Sequence, residues 1–349
     1  MARGIFNQLF IKEIYNKISY LIRSLAESAI ALLLAFLVDT LFLLSLGYDL
    51  HIIFRIFGTL FVTGYSDLNY LFIKSSPYIA TGLAFSIPML VGIFNIGGEG
   101  QLYIGALTAL IISYVTKSSA LSILAGSLAG AFLGLLIILG RVYRNINEVV
   151  SAIMLNWIMY YLVAYIITSY IYDPYAPYQS RPAPSEATIG SLQMFIYSVS
   201  IAILIYIVLY YTAIGYRIRV IGKSYKAALY AGFSPSREII YSMIIGGGLA
   251  GFGGSLIPLG IRPYVIDNTM SVLYGIGFLG IGIGLLGRNN PIGIILASLF
   301  ISGLVIGGEN VERLTGVAPE IVDVIIGVVI ISLAMPRVYR LLVRRGVFQ

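Results

Sequence analysis

Few side chains in this chain of 349 residues are suited to acid–base, nucleophilic or metal chemistry. His51 is the only histidine and cysteine is absent, which excludes a histidine-dependent catalytic triad, a histidine metal cluster and thiolate ligands. The acids within or near apolar sequence are Asp39, Glu99, Glu148, Glu309, Glu320 and Asp323. An acid in apolar surroundings is costly, so each marks a proton, ion or solute site or a structural pair. We predict neither a catalytic residue nor a metal site.

Glu99 has the most unusual surroundings of these acids. It lies in the stretch FNIGGEGQ at 94–101 and is the only charged residue between Lys74 and Lys117. Glycine allows the backbone to turn tightly and to approach its neighbours, so we expect a buried or cavity-lining turn there. As a structural latch, Glu99 would accept amide hydrogen bonds from its own turn or pair with a basic residue of a loop. Direct contact with a bound solute is the alternative.

The composition is that of a protein whose solvent is mostly lipid. Hydrophobic residues make up 59% of the chain and charged residues 11%, with a mean hydropathy of +0.93. A soluble domain carries roughly 25% charged residues. Apolar runs long enough to cross a bilayer as helices recur along the whole length. These features predict an all-α polytopic membrane protein, and the net charge of +7 then reflects topology rather than binding to nucleic acid.

We place ten transmembrane helices along the chain. They run at about 21–47, 75–94, 100–116, 119–140, 149–171, 192–213, 238–258, 270–287, 291–307 and 317–335. With the amino terminus inside, most of the 22 Lys and Arg residues fall on the cytoplasmic side, as the positive-inside rule requires. This predicts a plasma-membrane protein with both termini in the cytoplasm: an amphipathic segment at 1–20, a single membrane domain at 21–335 and a basic tail at 336–349.

Two loops between these helices are long. The outer one, 172–190, contains four prolines and several tyrosines, and is either an ordinary interfacial loop or a docking face for an extracytoplasmic partner. The cytoplasmic one, 214–237, contains a predicted short helix from Ser224 to Ala231 that Gly232 ends. Small residues on this helix suit close docking in the groove of another protein better than burial in lipid.

Several motifs resemble those of soluble nucleotide-binding enzymes. The triplet Gly222–Lys223–Ser224 lacks the earlier glycine of a phosphate-binding loop, because Arg217 stands at that position. Segments 275–280 and 282–287 both match GxGxxG, but they lie within a predicted span with no preceding strand. Closely approaching helices explain these glycines better, as they do the glycines at 126, 130 and 134 and in GGGLAGFGG at 246–254.

Four stretches of the chain together resemble a known family. They are FNIGGEGQLYIGAL (94–107), NEVVSAIMLNWI (147–158), IGKSYKAALYAGFSPSREIIYSMIIGGGLAGFGGS (221–255) and YGIGFLGIGIGLLGRNNPIGIILASLF (274–300). In this order they resemble nucleoside-type permeases of ATP-binding cassette (ABC) importers, in the superfamily of ribose and branched-chain amino acid permeases. The resemblance covers residues from about 70 to 335, and the assignment to the nucleoside-type subgroup depends mostly on FNIGGEGQ. Gly98 is a departure, since members often have Val there, and it leaves the substrate less defined.

The resemblance implies a fold and a set of partners. The fold would be a ten-helix permease of the vitamin B12-importer type (type II), paired with a second homologous permease as a heterodimer. Two ATPase subunits would bind ATP beneath it, and a substrate-binding lipoprotein would deliver solute outside, so this chain would need no cofactor and would not be an enzyme. The residues implied to seat in the ATPase groove, as a coupling helix, are Ala227, Ala228, Tyr230, Ala231 and Gly232.

The function implied is translocation of nucleosides by alternating access, and other functions stay open. The nearest alternative is a permease for simple sugars such as ribose. An ion-coupled secondary transporter would use Glu99, Glu320 or Asp323 as its ion site. A membrane-embedded transferase would need clustered polar catalytic groups near one interface, and the sequence offers none.

A neutral, hydroxyl-rich solute needs hydrogen-bonding groups along its path. The residues that we expect to form the translocation pathway or its gate are Phe94, Asn95, Glu99, Gln101, Asn156 and Trp157. The alternative for the polar members of this set is that they satisfy backbone groups where helices are broken.

Overall fold

The computed structural model describes residues 29–267 and 275–335, and most of them are helical. The amphipathic segment 1–20, the start of the first predicted span and the basic tail 336–349 lie outside the described residues. The chain divides into two compact units, which are described separately: one from Met1–Phe61 and Gly307–Gln349, the other from Val62–Ile306. A single membrane domain at 21–335 therefore stays a prediction.

Thirteen α-helices are described, numbered here in chain order. They are α1 (Ala29–Ser45), α2 (Leu50–Val62), α3 (Leu68–Met89), α4 (Gly98–Thr116), α5 (Ser119–Arg144), α6 (Glu148–Ile166), α7 (Ser191–Tyr211), α8 (Ala213–Lys223), α9 (Tyr225–Tyr230), α10 (Pro235–Gly260), α11 (Ile276–Leu286), α12 (Pro291–Thr315) and α13 (Pro319–Ala334). A π-helical turn, Ile167–Ile171, extends α6, and short 3₁₀ turns lie at Thr63–Tyr65 and Ser185–Ala187.

Five of these helices are long and apolar enough to span a membrane, which makes the chain a mostly helical membrane protein. They are α5, α6 with its π-helical extension, α7 with the 3₁₀ turn before it, α10 and α12. Shorter apolar helices are α1, α2 with its 3₁₀ extension, and α11. The predicted span 75–94 differs in its limits: its helix covers 68–89, because Asp67 accepts the N–H groups of Asn69 and Tyr70 and so starts α3 earlier.

The smaller unit contains α1, most of α2, the end of α12 and α13. The Phe36 ring lies edge-on to those of Phe57 and Phe61, at 5.0 and 5.2 Å between ring centroids. Ala35, Asp39 and Leu43, spaced by four, form a buried face of α1. The two oxygens of Asp39 have no hydrogen-bond partner in the described part of the chain.

The larger unit is built around α10, which packs on α3, α4 and α5. The contacts are backbone against backbone: a Cβ atom on Gly105 would lie 2.5 Å from Gly251 Cα, and one on Gly251 would overlap the carbonyl oxygen of Gly126. Such small residues allow helices to approach closely where lipid supplies no hydrophobic driving force. The prediction that these glycines mark helix contacts is confirmed for α5 and α10.

The loop at 172–190 contains a small antiparallel sheet, an exception to the all-α expectation. Strands β1 (Tyr172–Asp173) and β2 (Ala176–Ser180) pair through a turn in which Asp173 Oδ1 accepts the N–H of Tyr175. The carbonyl of Ile266 accepts the N–H of Ser180, and this fixes the hairpin to the segment after α10. Proline-rich sequence that cannot form a helix still satisfies its backbone in this way.

We predict that the α5–α10 contact does not tolerate a single methyl group. Gly251→Ala should lower the unfolding free energy by about 1–3 kcal/mol, because an added Cβ forces the two backbones apart. Gly248→Ala on the same helix is the matched control, since its Cβ would have only ordinary contacts at 3.6 Å. Thermal unfolding of the two purified variants in detergent makes the comparison, and equal melting temperatures would contradict the packing described.

Candidate functional site

The turn between α3 and α4 is closed by paired amide side chains. Asn95 is buried there, and its Oδ1 accepts the N–H of Gly97 at 3.1 Å. Its Nδ2 donates to the carbonyl of Ala84 at 3.2 Å and to Gln101 Oε1 at 3.1 Å, while Gln101 Nε2 donates to Asn95 Oδ1 at 3.3 Å. The end of α3, the turn and the first turn of α4 therefore share one hydrogen-bond network.

Asn156, from the middle of α6, holds the same turn from the other side. Its Oδ1 accepts the N–H of Gly100 at 2.9 Å, and its Nδ2 donates to the carbonyl of Ile96 at 3.0 Å. A Cβ atom on Gly100 would lie 2.9 Å from Asn156 Cα, so the absence of a side chain there allows α6 to reach the turn. One amide thus satisfies a donor and an acceptor at a helix break.

The Glu99 carboxylate lies at the start of two helices. The side chain is buried in the first turn of α4, and it accepts N–H groups from the first residues of α11. Its Oε1 accepts from Gly275 at 2.9 Å, and its Oε2 accepts from Gly277 at 2.7 Å and Phe278 at 3.2 Å. The first N–H groups of a helix lack partners within it and carry partial positive charge. Glu99 therefore caps α11 from another helix.

This arrangement corrects our expectation for Glu99. Among the described residues, the N–H groups that donate to Glu99 belong to the start of a helix more than 170 residues away, and not to its own turn or to a basic side chain. The glycine pattern at 275–280 does present backbone N–H groups to an anion, as in phosphate-binding loops, but the anion is the chain's own carboxylate. Gly275 has a φ of +110°, and a Cβ on Gly277 would lie 2.5 Å from the backbone nitrogen of Glu99.

The six residues proposed for a solute pathway fall into two groups. Asn95, Glu99, Gln101 and Asn156 come together around the start of α4, buried and engaged in the hydrogen bonds above. Phe94 is half-buried, edge-on to Phe85 with 5.0 Å between centroids. Trp157 is 40% exposed and stacks on Tyr161 at 6.2 Å. Phe94 and Trp157 thus keep part of their ring surface exposed, whereas the side chains of the four polar residues are buried.

The short helix predicted within 214–237 is confirmed as α9. Ser224 caps it by accepting the N–H of Ala227, and Gly232, with a φ of +77°, ends it. Of the five residues implied for the ATPase groove, Ala227, Tyr230, Ala231 and Gly232 are exposed, and Tyr230 is 93% exposed. Ala228, in contrast, is buried against its own chain, so its methyl group is not available to a partner's groove.

Helix α8 contacts α10 and the turn after α3. Local sequence patterns did not predict these contacts. Arg217 Nε lies 2.8 Å from Glu238 Oε1, an ion pair between α8 and α10. A Cβ on Gly222 would overlap the carbonyl oxygen of Leu90, so the end of α8 rests directly on the turn after α3. Helix α8 therefore touches the turn that Asn95 closes.

The remaining acids do not form a second site. Glu148 pairs with Arg141, while Arg313 lies 3.9 Å from Glu309 rather than beside the exposed Glu320 and Asp323. Within residues 29–267 and 275–335 no group of three His, Cys, Asp or Glu side chains could hold a metal ion.

These features occur in a chain whose family is identifiable from its sequence. Residues 68–334 match the family described as the permease component of branched-chain amino acid transport systems, and the chain belongs to this family. It is therefore a transporter permease and not an enzyme, which confirms the resemblance. No solved structure matches the chain.

Relatives with assigned names are permease proteins of ABC transporters. The chain is 28% identical over 331 residues to the guanosine permease NupP of Bacillus subtilis, which covers 87% of this chain and 91% of NupP. It is 29% identical over 346 residues to the nucleoside permease NupB of Lactococcus lactis, covering 90% and 91%. It is 28% identical over 303 residues to the glucose permease TsgB13 of Haloferax volcanii, covering 79% of each. The two bacteria each have a second matching permease, NupQ and NupC.

We predict that Glu99 acts as a structural latch. Glu99→Gln should lower the unfolding free energy by about 1–3 kcal/mol, because an amide N–H₂ would then face backbone donors that need an acceptor. Glu186→Gln is the control, since Glu186 is exposed and interacts with Lys117 and the Ser185 hydroxyl at the surface. The measurement is thermal unfolding with size-exclusion chromatography. Unchanged stability and assembly combined with an altered choice of solute would refute the latch.

We predict that the folded protein depends on Gly277 for stability as much as on Glu99, which it contacts. Gly277→Ala is expected to reduce the melting temperature and the folded yield, because its Cβ would meet the backbone and carboxylate of Glu99. Gly98→Ala is the matched control on the facing helix, since its Cβ would have ordinary contacts only, at 3.7 Å. Equal folded yields of the two variants would show that the α4–α11 approach is not tight.

Proposed function

We propose that this chain is the membrane-spanning permease subunit of an ABC importer that translocates nucleosides by alternating access, driven by separate ATPase subunits. The observation that carries this proposal is the similarity to guanosine and nucleoside permeases over nine-tenths or so of the chain and of each relative. The absence of an ATP-binding loop in the chain fits a subunit that depends on others for ATP, so we assign it no cofactor.

We infer a vitamin B12-importer-like (type II) arrangement with ten spans. The spans are α1, α3, α4, α5, α6, α7, α10, α11, α12 and α13, while α2, α8 and α9 do not cross. This assignment supports a single permease domain at 21–335 in the plasma membrane, with both termini and the coupling loop 214–237 in the cytoplasm. The excess of Lys and Arg in the cytoplasmic segments supports that orientation.

The proposed assembly contains a second homologous permease, two ATPase subunits and a substrate-binding lipoprotein, surrounded by membrane lipid and without nucleic acid. The occurrence of two matching permeases in each of two bacteria supports a heterodimer. We place the ATPase contact at the exposed part of α9, namely Ala227, Tyr230, Ala231 and Gly232, with Ala228 supporting the helix from inside. Movement of α9 would reach the α3–α4 turn through the contact of Gly222 with Leu90.

We assign the polar group at the start of α4 to the gate and the nearby aromatic residues to the solute. The four polar residues of this group hydrogen-bond to the backbone or to one another, which supports a role in holding the gate together. They are Asn95, Glu99, Gln101 and Asn156. Phe94 and Trp157 keep accessible ring surface on which a nucleobase would stack. Changes at the polar residues should therefore affect gating first, and changes at Trp157 should affect affinity.

Simple sugars are the second candidate substrate, favoured by the similarity to a glucose permease. A sugar would pack the C–H groups of its ring against these aromatic side chains, so the exposed rings alone do not separate the two candidates. Competition between unlabelled glucose or ribose and a labelled nucleoside distinguishes the two candidates.

The direct test is uptake of labelled guanosine into proteoliposomes that contain the permease pair and its ATPases. We expect uptake that requires ATP and the lipoprotein and resists excess glucose. Uptake without ATPase subunits, driven by a proton gradient, would refute the ABC mechanism. Uptake of glucose that guanosine does not inhibit would agree with an ABC importer but would refute a nucleoside as its substrate.

The ATPase contact has a test of its own. Ala231→Arg should abolish co-purification of the ATPases with the permease, because a long charged side chain would fill the space that a small one leaves for the groove. Tyr175→Arg, at the 97% exposed tip of the outer hairpin, should leave co-purification unchanged. If the ATPases still co-purify normally with Ala231→Arg, the proposal that they bind at α9 is refuted.

A further inference from the structure

Three segments of the larger unit meet at the ring of Tyr210, near the end of α7. Arg219, from α8, places its guanidinium carbon 4.8 Å from the centroid of that ring. Asn290, in the turn before α12, donates from Nδ2 to the Tyr210 hydroxyl at 3.3 Å. Tyr206 lies beside the same ring, at 4.7 Å between centroids. This Tyr210 cluster is separate from the α4–α11 contact and from α9.

The guanidinium of Arg219 is held in place but keeps hydrogen-bonding capacity. Its Nε donates to the carbonyl of Gly215 at 3.4 Å. No other hydrogen bond or ion pair to Arg219 is found in the described part of the chain. The Tyr210 ring approaches the guanidinium carbon, and the terminal N–H groups have no acceptor among the described residues. Such groups can donate as a pair to two oxygens of a phosphate.

The surroundings of the Tyr210 cluster are those of a membrane–water interface. Helix α8 buries Gly215, Ile218 and Ile221 and exposes Tyr216, while Tyr211 at the end of α7 is also exposed. Tyrosines collect at the level of lipid headgroups, and a helix with one buried and one polar face after a span lies along that level. Tyr210 itself is 38% exposed, so the cluster is open on one side.

We propose that the Tyr210 cluster binds the phosphate of an anionic phospholipid headgroup on the cytoplasmic side. Arg219 provides the charge and the paired N–H donors, and Tyr210 and Asn290 fix its position. Anionic lipids concentrate at the cytoplasmic surface, where basic side chains attract them. The proposal uses the orientation given under the proposed function, but its test does not involve solute uptake.

The test is the melting temperature of the purified permease complex in a mild detergent with added lipid. Phosphatidylglycerol should raise the melting temperature of the unaltered protein more than phosphatidylcholine does, and Arg219→Gln should abolish the difference. Arg144→Gln, which removes an exposed cation at the end of α5, is the matched control and should retain it. By native mass spectrometry, Arg219→Gln should weaken phosphatidylglycerol binding roughly tenfold, the effect of losing one charge-assisted contact.

The other outcomes also decide the matter. A difference between lipids that persists in Arg219→Gln, or that Arg144→Gln abolishes equally, would overturn the proposal. Stabilisation by millimolar inorganic phosphate in place of lipid, lost in Arg219→Gln, would assign the cluster to free phosphate and contradict the lipid assignment. If Arg219→Gln does not fold, Arg219→Lys answers the same question. A smaller difference in melting temperature between the two lipids in Arg219→Lys would support the proposal. A difference as large as that of the unaltered protein would refute paired donation by the guanidinium.

Discussion

The arrangement around the proposed gate depends on one buried carboxylate. The start of α11 presents N–H groups that no residue of that helix can satisfy, and within apolar surroundings water is not available to do so. Glu99 accepts three of them while lying in the first turn of α4, so a single side chain joins the starts of two helices. The carboxylate and the amides depend on each other, because separating them leaves both without partners in a place where an unpaired polar group is costly. Such a contact favours two discrete states, engaged or released, over gradual deformation.

Close backbone packing extends this local constraint to the rest of the larger unit. Gly277 allows α11 to reach Glu99, and Gly100 allows α6 to place Asn156 on the adjoining turn. Gly222 brings the end of α8 onto the same turn at Leu90. Since packed interiors pass displacements on with little compression, helices α8 and α9 and the Glu99 contact form one continuous structure. In the proposed assembly, this continuity is the route by which ATP binding at the proposed ATPase contact would release the proposed gate.

The sequence predicted the features that local patterns determine. Hydropathy indicated a helical membrane protein, glycine spacing indicated that α5 and α10 approach other helices closely, and Ser224 with Gly232 set the limits of α9. In each case the physical cause lies within a few residues of the effect. The partners of Glu99 could not be predicted in this way, since the donors follow it by more than 170 residues. The burial of Ala228 and the hairpin at 172–180 also depend on segments distant in sequence. The GxG at 275–277 was the one available signal, because glycines that open a helix present their N–H groups to an anion.

The central claim is that Glu99 holds the start of α11, and amide hydrogen exchange in lipid nanodiscs measures this contact directly. Peptides that cover 275–282 should exchange slowly in the unaltered complex without nucleotide. Glu99→Gln should remove that protection while leaving the middle of α10, around Gly251, as protected as before. Equal protection of 275–282 in both proteins would contradict the account, because the N–H groups would then have an acceptor other than this carboxylate.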